Sequence, residues 1–400
     1  MKFITMSPIH FERWDWRNSI RDGIGGSETS TVENAWRLAA RGHEVINYAP
    51  VPDDCPGEWR NTKWLPLDKF NTDEPGVYII YRSPGHLDMF DKSRKDQAVW
   101  FLAQDWLYDF TPSQLEVMDR FIVLCRAHER HVLREHPHMR PKIWCSQNGI
   151  KVDLIQEIEA EGHIVRNPKR IMYASSPDRG LLAALKIFKR AKESVPDMEM
   201  FITYGYDNLN KMLGNPGMDK YAREKEQCMR LVEETGAQFL GRIPQHQLYR
   251  EWFKTGMSVY CTQFFETSWI SGAEMSAMGA IPVFSPVYAQ KENTRHGIAI
   301  VGDPTEDSTI ARFAAEVVNL ARNPEKQEAI RKEMMPDTRT HRDWEVLVTG
   351  WERAAAHDLG LSVKKYVTVG NIGFPALQYL HPAAETCGKP IEAEARSKWG

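Results

Sequence analysis

The sequence of 400 residues lacks several signatures that would settle its class at once. It has no C-x-x-C pair, no G-x-G-x-x-G and no apolar run approaching the ~20 residues of a membrane span. It has no excess of one charge either: the formal net charge is −3. Such a balance gives no global field for drawing in a nucleic acid or a membrane surface, although a local patch is still allowed. The six cysteines (Cys55, Cys125, Cys145, Cys228, Cys261 and Cys387) are scattered, several in apolar runs such as FIVLC and SVYCT. That pattern predicts buried free thiols in a reducing, cytoplasmic setting rather than a disulfide framework. The opening MKFITMSPIHFERW has no long apolar core, so no signal peptide is expected.

What is present reads as a soluble α/β enzyme. Hydrophobic residues make up 42% and charged residues 26%, and 400 residues exceed what one core usually serves, which predicts two domains. KFITM (2–6) is a short apolar run, followed by a Trp- and Arg-rich loop to Gly26. SETSTVENAWRLAARGHEV then has apolar positions at helical spacing. Ser27 or Ser30 is expected to cap that helix, with Glu33 as capping-box partner and Gly42 at its end. Further strands are expected at EVINYAP, 77–82, 98–104, 120–125 and 142–147, with helices at 112–119 and 127–135. The polar stretch EIEAEGHIVRNPKR reads as a boundary. A second alternation runs through strands at 170–176, 198–205, 237–242, 257–262 and 281–285. Strands alternating with helices predict two parallel sheets. HRDWEVLVTGWERAAAHDL reads as an amphipathic helix, and the Pro- and Gly-bearing residues from Gly360 onward admit either a packed or a mobile extension.

Three stretches carry chemistry. In RDGIGGSETS, Gly25 and Gly26 stand between a strand and a helix N-terminus, a natural place for an anion or simply a tight turn. In YASSPDRGLLAAL, Arg179 and Gly180 open a helix where the macrodipole disfavours a cation, which points to an anionic ligand. In FFETSWISGAEMSAMGAIPV, Glu266 and Glu274 are eight apart, a spacing one helix would put on different faces. A helix beginning near Ser271 and ending at Gly279 leaves Glu266 in the preceding loop, so the two carboxylates can reach different ends of one ligand at the carboxyl edge of a sheet. Backbone N–H groups of Thr267, Ser268, Trp269 and Ile270 lie between them and can hold phosphate.

The E-x7-E block followed by MGAIPV resembles the signature of retaining glycosyltransferases of family 4. The GG loop before SE, the RGHEV helix end, FLGRIPQHQLYREW and QNGIKVDL resemble the same family over roughly residues 1 to 357. The resemblance implies a GT-B fold, two Rossmann-like doubly wound parallel-sheet domains facing a central cleft. The expected division is an acceptor-side domain at 1–160, a nucleotide-sugar domain at 161–338, a helix at 339–358 crossing back to the first domain, and an extension at 359–400. Carried over by position, Glu274 would bind ribose hydroxyls and Glu266 the donor sugar. The amides from Thr267 to Ile270, with Gly25 and Gly26, would meet diphosphate or sugar. Arg179 replaces the family's lysine at the leaving diphosphate, and Gly241 and Arg242 would lie by the base. The family often has an arginine shortly before that lysine, where SSPDR offers Ser175 and Ser176. A family histidine after a central N-domain strand is replaced in FLAQDW by Gln104 or Asp105, and Asp105 is taken as the catalytic candidate. The expected donor is a UDP- or GDP-linked sugar with no other cofactor. No metal is expected, since the chain has no Asp-x-Asp.

Rival readings are a glycoside hydrolase, which has no use for Arg179 or the GG loop; a non-catalytic sugar-nucleotide binder; and an NAD-linked oxidoreductase, whose fingerprint glycines are misplaced. The acceptor is expected to be a glycan or lipid-linked sugar, bound through Trp14, Trp16, Arg17 and Arg82. The aromatic and cationic loop around Trp14, together with Arg13 and Arg21, admits a hydroxymethylated base in DNA as the lesser alternative. RAHERHVLREHPHMRPK (126–142) offers either a peripheral membrane contact or a solvated helix face.

Overall fold

Short runs of β-branched and aromatic residues between turns form two separate parallel sheets. The computed structural model describes residues 1–8, 12–21, 23–106 and 108–361. The first sheet holds β1 (Lys2–Met6), β2 (Glu44–Ala49), β3 (Glu58–Trp59), β4 (Thr62–Pro66), β5 (Gly76–Tyr81), β6 (Gln97–Leu102), β7 (Arg120–Val123) and β8 (Ile143–Cys145). Its order is β3-β4-β2-β1-β5-β6-β7-β8, parallel except where β3 meets β4. The second holds β9 (Asn167–Ala174), β10 (Glu199–Thr203), β11 (Gln238–Gly241), β12 (Thr255–Tyr260), β13 (Ile281–Phe284) and β14 (Ile298–Ala299), in the order β11-β10-β9-β12-β13-β14. In both, the order reverses beside the first strand, and loops leaving the carboxyl ends at such a switch point line a crevice.

Central strands are buried on both faces, as parallel sheets covered by helices require. Every residue of β5 is buried, with Val77, Ile79 and Tyr81 in one core and Tyr78 and Ile80 in the other. The helix Trp344–Asp358 completes the first of these cores, where Trp351 stands 5.9 Å from Trp100 and Val348 is fully buried. Its end is tied down by Trp100 Nε1, which donates to Asp358 Oδ2 at 2.9 Å, and by Arg120. The chain therefore crosses twice between the sheets, and the crossings touch: Ile150 N donates to Arg342 O at 2.7 Å. A side chain at Gly149 would strike the Trp344 ring at 2.5 Å, so glycine is needed where the strands of linker meet.

Several elements depart from expectation. β3, β4 and β14 are additional; β4 is marked only by an alternation around Trp64, and β3 and β14 are two residues each. β9 begins at Asn167, inside the stretch read as a boundary. The helix Gly26–Ala40 begins earlier than Ser27 or Ser30, with Gly25 as its N-cap and no side-chain cap. Ser30 is buried in the helix, and Glu33 pairs with Arg37 and Lys151 instead of closing a capping box. The extension expected from 359 lies, beyond residue 361, outside the described residues.

Candidate active site

Strand β12 delivers the first carboxylate. Tyr260, its last residue, stacks on Trp269 at 4.6 Å and donates from its hydroxyl to Glu266 Oε1 at 2.6 Å. Arg179 Nη1 donates to the same oxygen at 3.0 Å, and its guanidinium lies 4.2 Å over the Phe264 ring. Glu266 is 6% exposed, so tyrosine and arginine together supply what water would have given its charge. Burial works against the charge of Arg179, but Glu266 more than restores it and holds the guanidinium's affinity for its proton above normal. Arg179 Nε has no hydrogen-bond partner among the described residues.

The second carboxylate sits in the helix Ile270–Ala277. Tyr249 donates to Glu274 Oε1 at 2.5 Å and Gln245 Nε2 at 3.3 Å. Burial pushes the Glu274 carboxyl up to about 7, against the pull of Tyr249 and Lys151. Three guanidiniums hold the far end of this helix. Arg166 donates to Met278 O at 2.6 Å, Arg331 to Gly279 O at 2.8 Å and Arg339 to Ala277 O at 2.8 Å. They complement the negative end of the dipole and leave its positive end toward the crevice.

Three helix starts in the crevice lack a side-chain cap: Gly26–Ala40, Leu181–Ser194 and Ile270–Ala277. Two of them meet, since a Cβ on Gly26 would stand 2.9 Å from Ile270 Cδ1. The third is held by Gly180, whose φ of +114° sets it against Cys261 O at the end of β12. Uncapped N–H groups beside Arg179 make this region suited to an anion. The two halves also close on each other where Thr267 Oγ1 donates to Gln104 O at 2.9 Å and Trp106 Nε1 to Phe265 O at 2.5 Å. Half-buried Glu28 lies over Gly25, its carboxyl raised by burial despite Arg82 and Arg242 nearby.

The residues singled out from sequence thus divide. Glu266, Glu274, Arg179, Gly26, Thr267 and Ile270 meet in the crevice, with half-buried Ser268 between Thr267 and Trp269. Asp105 is gripped bidentately by Arg82 at 3.0 and 2.9 Å, so these two side chains engage each other. The neighbouring Gln104 side chain has a buried Nε2 with no partner among the described residues. Gly241 turns with φ of +66°, and Arg242 leaves the second sheet to bind Glu12 at 2.9 Å and Gly23 O at 2.7 Å. Trp14 and Trp16 offer no stacking face, since both are buried in a cluster with Trp64 and Val32. Arg17 is committed to Asp15 and Asp54, and Arg13 to Asp53. Sequence reading missed Tyr249, Tyr260, Gln245 and Lys151, because a partner brought in by folding leaves no local spacing to find.

No protein-family model and no curated protein matches the chain. Solved structures do. Sucrose-phosphate synthase from Thermosynechococcus elongatus is 13% identical with a TM-score of 0.65, over 90% of this chain and 100% of its own. A glycosyltransferase from Rickettsia africae is 13% identical with a TM-score of 0.63, over 90% and 99%. Anabaena HepE, solved in complex with UDP and glucose, is 12% identical with a TM-score of 0.62, over 89% and 100%. The fold is accordingly the two-domain GT-B architecture of these proteins.

Proposed function

We propose that the protein is a glycosyltransferase that moves a sugar, with retention of anomeric configuration, from a nucleoside-diphosphate sugar to a hydroxyl acceptor. The observation that carries this reading is the Arg179–Glu266 pair, set between uncapped helix starts and a second carboxylate at Glu274. Glu274 would accept hydrogen bonds from the ribose hydroxyls. Glu266 would hold the donor sugar, and the N–H groups from Thr267 to Ile270, with those at Gly25 and Gly26, would receive the diphosphate. HepE carries UDP and glucose in the same fold, which favours a UDP-linked donor.

The hard step is breaking the bond between the anomeric carbon and the diphosphate oxygen. Negative charge grows on the leaving phosphate, and groups already aimed there lower the barrier without reorganising. Arg179 and the helix-start dipoles serve that purpose. The acceptor hydroxyl would attack from the face the phosphate leaves, and the contacts from Trp106 to Phe265 and Thr267 to Gln104 would exclude competing water. The acceptor read here is a glycan or lipid-linked sugar. The Trp14 loop, whose sequence suggested a DNA base, has its tryptophans in the core and its Arg13 and Arg17 paired with aspartates.

The test is a screen of UDP-, GDP- and ADP-sugars by thermal shift and by donor hydrolysis. One donor should stabilise the protein and be hydrolysed slowly, and Glu274→Ala should abolish that stabilisation. Full stabilisation retained by the Glu274→Ala protein would remove Glu274 from the donor site. Stabilisation without hydrolysis or transfer to any acceptor would mark a sugar-nucleotide binder instead.

A further inference from the structure

Lys151 belongs to the linker, yet its ammonium joins three separate elements. Its Nζ lies 2.7 Å from Glu33 Oε1, on the helix that begins at the GG loop. It donates to Ser19 Oγ at 3.2 Å, and also to Gln245 Oε1 on the helix Gln245–Phe253. Gln245 in turn donates to Glu274. Glu33 is held by both Lys151 and Arg37, and Arg37 is itself divided among Glu33, Asp153 and Glu345. Lys151 therefore serves two carboxylates, Glu33 directly and Glu274 through the Gln245 amide.

We propose that Lys151 is a positioning residue that favours the ionised form of Glu274 and orients it for a nucleotide's ribose, and that it shares this charge with Glu33 behind the GG loop. The proposal rests on the reading of Glu274 as the ribose carboxylate. Among the described residues, four polar groups act on Glu274. Tyr249 and Gln245 bond it, Lys151 draws its carboxyl down, and Glu33 pushes it up. Arg166, Arg331 and Arg339 lie at the opposite end of its helix. One ammonium between two carboxylates has a consequence that ordinary packing does not. Removing the ammonium and removing the competing carboxylate must move Glu274 in opposite directions.

The experiment follows the Glu274 carboxyl by 13C NMR of glutamate-labelled protein across pH, with Glu274→Gln identifying its signal. Lys151→Met should raise the midpoint by about one pH unit or more, Glu33→Gln should lower it, and Lys151→Arg should keep it near the wild-type value. Should Lys151→Met fail to fold, Lys151→Gln takes its place, with the same upward shift expected. Midpoints that do not move, or that both move the same way, overturn the proposal. A second arm measures UDP affinity by calorimetry. Lys151→Met should weaken binding about fivefold at pH 7 and much less at pH 9, where Glu274 ionises without help. An equal loss at every pH means a merely structural role and also overturns it. If the wild type binds no UDP, GDP or ADP while the midpoints still move oppositely, the ionic link stands and the donor-site reading falls.

Discussion

Arg179 and Glu266 are 87 residues apart in the sequence, and the Arg179 Nη1 donates to Glu266 Oε1 across 3.0 Å. The pair uses one Nη of the guanidinium and leaves Nε without a partner among the described residues. Arg179 is thus fixed in place before any ligand arrives, with donor capacity unspent, which is what preorganised stabilisation of a leaving phosphate requires. Arg179→Ala should lower the rate of donor cleavage by about 10²–10³, with a smaller change in donor affinity. Arg179→Lys should keep most of the rate, because a point charge at the same helix start still meets the developing charge. Single-turnover hydrolysis of the best donor measures both. An unchanged rate in Arg179→Ala would separate this residue from the chemistry.

Glu274 sets a pH dependence whose sign follows from its burial. Its carboxyl is raised from 4.5 to about 7, so the folded state holds that proton more tightly than the unfolded chain does. The corresponding stability is complete below about pH 4.5 and is lost as pH rises through 7, a difference of about 3 kcal/mol at most. Melting temperatures of wild type and Glu274→Gln should therefore diverge between pH 5 and 8, with wild type falling relative to the variant. Ribose hydroxyls favour the ionised form. UDP binding at pH 7 should then release part of a proton, visible as a dependence of calorimetric heat on buffer ionisation enthalpy.

Much of the architecture was legible because strands buried on both faces read as short apolar runs. KFITM became β1 residue for residue, and IPVFS became β13 but for its last residue. Thr62–Pro66 left only a faint alternation, since its burial depends on Trp64 entering a cluster with Trp14 and Trp16. The same cluster explains why an exposed aromatic loop was expected around Trp14: the neighbours are charged, and nothing local says that Trp64 will cover the rings. Glu266 and Glu274 stood out by their spacing. The residues that govern them, Tyr260 on a strand, Tyr249 on another helix and Lys151 in the linker, are joined to them only by the fold.

Two glycines of the crevice should respond differently to the same added methyl group. Gly180 has φ of +114°, and a Cβ there would stand 2.4 Å from Cys261 O, a backbone atom that cannot move aside alone. Gly180→Ala should cost about 2–3 kcal/mol in chemical denaturation. Gly26 has an ordinary helical start, and its Cβ would meet only the flexible tip of Ile270 at 2.9 Å. Gly26→Ala should leave stability within about 0.5 kcal/mol and raise KM for the donor, because the two helix starts would be held further apart. Equal losses of stability in the two variants would contradict this division.

Glu292 ties the second domain to the first through a helix end. It lies in the helix Tyr288–Asn293, after β13, and its carboxylate accepts from Arg126 N at 2.5 Å and Ala127 N at 2.8 Å. These are the first N–H groups of the helix Arg126–Glu135, where a negative charge meets both open donors and the positive end of the dipole. Cys125 caps the same helix only through sulfur, accepting from His128 N at 3.4 Å, so little else replaces the carboxylate. Glu292→Ala should cost about 1 kcal/mol and release the amides of Arg126 and Ala127 to faster hydrogen exchange, by about fivefold. The same variant should loosen closure, because Trp106, which touches Phe265 and Tyr288 across the crevice, packs on His128 of that helix. Donor KM should rise with the exchange rate, while Glu292→Gln, which keeps an acceptor but not the charge, should fall between the two. Faster exchange at Arg126 and Ala127 without any change in KM would confine Glu292 to holding the helix, and would place the closing contact at Trp106 alone.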